Sequence, residues 1–145
     1  MGTRIRAHQI PARLATGAFI LHSGLGKWNA GEEQAKGLHQ MAAQAYPAFR
    51  RIPPERFARL LAAGEITLGT ALLVPLVPTA VAAAGLTAFG AGLLGLYYRV
   101  PGMREPGSIR PTQQGIAVAK DSWLVGIGLT LLGDSLSDAA QRRRG

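Results

Sequence analysis

The chain has 145 residues, enough for one domain, and only 17% of them are charged against 48% hydrophobic. A soluble domain carries nearer a quarter charged, so the composition points to a membrane. The net charge of +8 comes from Lys and Arg mostly outside or at the ends of the apolar runs, with no aromatic residues interleaved, which argues against nucleic acid and for a lipid surface. The absence of cysteine excludes disulfides, thiolate metal sites and dithiol chemistry in this chain.

Met1 to Gln9 is a short basic leader containing Arg4 and Arg6. No small-residue cleavage site follows it, so the first apolar run reads as a retained helix rather than a cleaved signal. That run, 10–28, is the first expected span. Pro11 suits a first helical turn, Arg13 is placed to snorkel to the near surface, and Lys27 and Trp28 mark the far one. Ala18, His22 and Gly26 recur at spacing four and are expected to form a small-residue contact face.

Residues 29–54 form a long connection. Within it Leu38, Met41, Ala45 and Phe49 share one side of a short amphipathic helix. Such a helix either lies in the membrane interface or packs on the bundle as a surface helix. The second span is expected over 57–78 and carries Glu65 near its middle. A roughly 20-residue apolar helix crosses a bilayer, and a carboxylate at that depth is costly unless protonated, paired or wetted.

The third span, 79–100, follows with almost no loop, so the two form a hairpin. Ala84, Ala88 and Gly92, with Ala91 and Gly95, make a small-residue face fit for close helix packing. Gly90-x-Gly92-x-x-Gly95 matches the dinucleotide fingerprint as a string. It follows no strand and sits inside an apolar run, so it reads as helix packing. A polar loop, 101–114, precedes the fourth span at 115–132, and 133–145 is a polar tail ending in three arginines. The fold class expected is all-α: a single membrane domain, an antiparallel four-helix transmembrane bundle with a short amphipathic interfacial helix between the first two spans. It would be a multi-pass protein of the cell membrane with cytoplasmic termini.

In up-down order the end of span one, the start of span two and the start of span four share a membrane face. His22, Glu65, Lys120 and Asp121 then lie roughly 8 to 12 Å inside one leaflet, at 1.5 Å per residue. They are the candidate ligand- or proton-binding groups, with Lys27, Tyr97, Tyr98 and Trp123 as rim candidates. No catalytic residue is assigned. Two readings stand: interhelical polar glue, or a pocket for a small ligand or a proton path. One intramembrane His and two carboxylates on separate helices are too sparse a set for a metal.

These residues resemble the DoxX-like family of four-helix integral membrane proteins. Its pattern is matched by LATGAFILHSGLGKW with His22 and Lys27, by GEITLGTALLVPLVPT with Glu65 and Gly69, and by AKDSWLVGIGLTLL with Lys120 and Asp121, over about residues 12–134. The resemblance implies a small membrane subunit linked to a quinone-dependent or oxidative-stress redox complex, with a quinone head group in the polar pocket. Other membrane subunits would be its partners, since without cysteine it cannot do thiol chemistry alone. The alternative is a non-catalytic accessory subunit packed against a larger membrane complex, its polar core serving folding only.

Overall fold

The computed structural model describes residues 5–145. Arg4 of the basic leader lies outside them. Among these residues every regular element is helical. A single 3-10 turn, Ala7–Gln9, leads into α1 (Ile10–Trp28), whose first turn holds Pro11. The proline's missing N–H costs nothing there. After Gly31, α2 (Glu32–Ala45) begins with Glu32 and Glu33, whose charge suits a helix N-terminus. A further 3-10 stretch, Pro47–Arg51, leads to α3 (Pro54–Leu73).

α3 begins and ends earlier than the expected 57–78, and prolines set both limits. Pro54 takes the first helical position, and Val74, forced extended before Pro75 (φ −78°, ψ 123°), ends the helix. α4 (Thr79–Arg99) follows Pro78. The fourth apolar run is divided. A short α5 (Ile116–Ala119) breaks at Lys120 and Asp121 before α6 (Ser122–Arg144), which carries the helix through the polar tail. At the break, Trp123 and Leu124 donate to Lys120 and Asp121 in i→i+3 fashion, the tighter 3-10 pattern. α4 and the Ile116–Arg144 segment are each long and apolar enough to cross a membrane. α1 and α3 have comparable length, 19 and 20 residues, with more polar side chains.

The helices associate mainly as two pairs, α1 with α3 and α4 with α6. Glycines bring their backbones together. A Cβ at Gly69 would lie 2.6 Å from the Leu21 nitrogen, and one at Gly24 2.9 Å from Glu65 Cβ and Ile66 N. Gly17 meets Leu72 and Leu73, so α3 runs antiparallel to α1. In the second pair Gly90 meets Val125 and Gly128 meets Thr87. Ile20, Leu72, Ala82, Leu86 and Leu124 form the shared core between the pairs.

The buried faces differ from those expected. In α1 the face against α3 is Arg13, Thr16, Gly17, Ile20 and Gly24, while Ala18, His22 and Gly26 look outward. In α4, Ala82, Ala83, Leu86 and Gly90 are buried, and Ala84, Ala88 and Ala91 are exposed. Spacing four recurs on more than one side of such helices, and spacing alone does not say which side meets a partner. The Gly90–Gly95 string does serve packing: Gly90 admits α6, and a Cβ at Gly95 would overlap the Tyr46 hydroxyl.

α2 packs on α3 and α4, burying Ala35, Ala42, Ala43 and Ala45. Tyr46 fastens its end, donating to the Gly92 carbonyl at 2.9 Å beneath the Arg99 guanidinium. The 101–114 segment is an ordered loop. Arg104 and Pro111 pair as an isolated bridge, and Gly102 and Gly107 take positive φ at its turns.

Adding one methyl at the α1–α3 crossing is an overpacking change worth about 1–3 kcal/mol. Gly69→Ala is therefore expected to lower the thermal unfolding midpoint in detergent. Gly64→Ala, where a Cβ meets nothing within 4 Å, leaves the midpoint unchanged or raises it. Equal midpoints for the two variants would refute the close crossing.

Candidate functional site

The first polar centre joins α1 and α3. Two turns of α1 beyond Ile20 bring Lys27 opposite Glu65, across the gap that Gly24 keeps narrow. The Lys27 ammonium donates to both Glu65 carboxylate oxygens at 3.0 Å, and its third hydrogen goes to Ser23 Oγ. Glu65 is only 4% exposed. All three ammonium donors are thus used, and the carboxylate is held symmetrically. Asp121, at the α5–α6 break, is within electrostatic reach of both Lys27 and Glu65. It makes no hydrogen bond through its carboxylate among the described residues, so the cluster holds one cation and two carboxylates.

The other candidate residues are disposed differently. His22 is exposed on the outer side of α1, and Lys120 is exposed at the helix break. Neither forms a hydrogen bond or ion pair through its side chain among the described residues. Lys27, expected at the rim, is the partner of Glu65. Tyr97 is buried and donates its hydroxyl to the Ile109 carbonyl. Tyr98 is exposed, with the Arg104 guanidinium 4.9 Å from its ring centre. Both tyrosines therefore hold the 101–114 loop. Trp123 is 71% exposed on α6, beside a groove that faces α1.

The second polar centre lies at the opposite end of α1 and was not foreseen. Arg13 does not snorkel: it is 2% exposed and turns inward against the α3–α4 connection. Its Nε donates to Leu72 O at 2.8 Å, Nη1 to Val77 O and Thr79 Oγ1, and Nη2 to Ala71 O and Val74 O. All five guanidinium hydrogens find acceptors. The cause is in the sequence. Pro75 and Pro78 have no N–H, so the carbonyls four residues earlier, Ala71 and Val74, lose their helical donors. Arg13 supplies the replacements at the negative end of α3. Thr79 passes the network on to Gln9, and Gln9 to Asp134 on α6, beside His8.

The DoxX family profile matches residues 8–99, well over half of the chain. The chain belongs to the DoxX family. The match takes in α1 to α4, with Arg13, Lys27 and Glu65, and ends at Arg99, before the Lys120–Asp121 break. No curated protein and no solved structure matches the chain. DoxX membership and the two apolar helices together point to a membrane protein.

In this DoxX protein the signal for Arg13 was present as two prolines spaced three apart after an apolar helix, which deprive Ala71 and Val74 of their i+4 donors. Removing the guanidinium leaves several buried carbonyls unsatisfied, at about 1–3 kcal/mol each. Arg13→Met is expected to destabilise the protein by at least about 3 kcal/mol, more than any other single Arg→Met change. Arg13→Lys, with three donors in place of five, is expected to recover only part. Thermal unfolding in detergent measures both, and a neutral Arg13→Met would refute the capping role.

Proposed function

We propose that the chain is a small multi-pass membrane subunit that packs against a larger membrane complex, its buried charges holding its own helices together. In this reading α1, α3, α4 and α6 cross the bilayer as an antiparallel bundle, and α2 lies along its interfacial edge. The observation that carries it is the Lys27–Glu65 pair. Its donors are fully used, and the Glu65 carboxylate is buried against them. Such a pair fixes the register of two helices, a role buried ions fill well. The outward small-residue face at Ala84, Ala88 and Ala91 is where a partner helix would approach.

A second reading, a redox-linked subunit that handles protons near a lipid-soluble quinone, is favoured by Asp121. That carboxylate has no hydrogen-bond partner among the described residues and stands beside an already neutral pair. The quinone itself does not fit the pair as it stands. Its carbonyl oxygens need donors, and the Lys27 ammonium has none to spare.

The two readings part on substitution. Lys27→Met leaves a buried carboxylate alone and is expected to cost about 3–5 kcal/mol, while Lys27→Met with Glu65→Leu costs far less. Under the subunit reading, Glu65→Gln lowers stability and Asp121→Asn leaves it unchanged or raises it, and neither changes the turnover of the co-purifying complex. Ala88→Leu releases the complex at unchanged stability. Turnover lost in Asp121→Asn at normal stability and assembly would instead select the proton-handling role.

A further inference from the structure

A large cavity lies beside the polar pair, on its Lys27 side. It is a cleft of about 790 Å³ between the end of α1 and the start of α3, with Ala35 of α2 at its back. Arg56 and Arg59 line it from α3, and Lys27 and the half-exposed Trp28 from α1. Lys27 is neutralised by Glu65. Neither Arg56 nor Arg59 has an ion-pair partner among the described residues, although Glu55 shares the wall. Two free guanidinium groups so close make a site for an anionic oxygen group, which arginine binds through paired donors.

Ala63, which lines the cleft, also lines a second groove of about 520 Å³ between α3 and α4. That groove is lined by small or apolar side chains, among them Gly64, Thr67, Ala71, Gly85 and Phe89. From Ala63 to Ala71 it follows α3 for about 12 Å, at 1.5 Å per residue. A charged recess and an apolar groove running along α3 thus adjoin at Ala63.

From this adjacency we infer a binding site for an anionic phospholipid, its phosphate held by Arg56 and Arg59 and one acyl chain laid between α3 and α4. Trp28 stands beside the head group, where an indole ring is favoured at a membrane boundary. The inference rests on α3 and α4 crossing the bilayer. It goes beyond the subunit reading by naming a ligand and a place for it.

The test uses the full chain purified in mild detergent, exposed to equal amounts of phosphatidylglycerol and phosphatidylcholine, with retained lipid read by native mass spectrometry. Each cation near an anionic head group favours it by a factor of about five, so the pair supports a preference of roughly thirtyfold. Arg56→Gln with Arg59→Gln is expected to abolish that preference. Gly64→Leu, placed where a Cβ meets nothing within 4 Å, is expected to keep the unfolding midpoint and lower retention of phosphatidylglycerol at least fivefold. Equal retention of both lipids by the unaltered chain would overturn the inference. So would displacement of phosphatidylglycerol by millimolar inorganic phosphate with no effect of Gly64→Leu, which marks a site for a free anion. Membrane insertion is scored separately by alkaline carbonate extraction. A chain released by carbonate refutes the crossing helices, whereas one that stays but shows no lipid preference refutes only the lipid site.

Discussion

The α3–α4 turn can exist only because Arg13 reaches it. Two prolines within four residues end one helix and start the next, and they remove the donors that Ala71 and Val74 would have used. In an apolar setting a bare carbonyl is a severe penalty, since no water replaces the lost partner. A guanidinium is the one side chain with enough donors to serve this turn and the Thr79 hydroxyl together. Its positive charge is compensated by the carbonyl dipoles at the end of α3 rather than by a carboxylate. This single contact thereby fixes α1 against both members of the hairpin.

Lys27 and Glu65 provide the complementary pin at the other end of α1. Between the two pins the helices touch through glycine, at Gly17, Gly24 and Gly69, so both polar contacts are held at a fixed register. The α4–α6 pair repeats the device with Gly90 and Gly128 but carries no buried ion pair among the described residues. α6 is joined to the rest through Leu124 and Leu131 in the core and through the Gln9–Asp134 contact at its polar end. The molecule is most rigidly specified where α1 and α3 meet, and that is also the part the family profile covers.

Much of the helix pattern was legible because apolar length and proline position are local properties. The range of α1, the tight α3–α4 connection and the helical reading of the Gly90–Gly95 string all follow from them. Glu65 announced itself as an acid in an apolar run. Its partner did not: by depth Lys120 lay level with it and Lys27 stood at the rim, and depth says nothing of how far a flexible ammonium reaches inward or of rotation about the helix axis. The same missing angle hid the outward direction of His22 and the true contact face of α1. Tyr97 and Tyr98 were read as lining a pocket because the 101–114 segment gave no sign of folding back over them. The break at Lys120 and Asp121 was masked by apolar residues on both sides.

The span of chain between Arg13 and its acceptors sets an order of events during synthesis. Those acceptors lie 58 to 66 residues further along. When α1 first leaves the ribosome its guanidinium has nothing to hold, and it must wait in water or among head groups. Only after Thr79 has emerged can the side chain gather its full set of acceptors. The helix made first is thus fixed in place by chain made well after it.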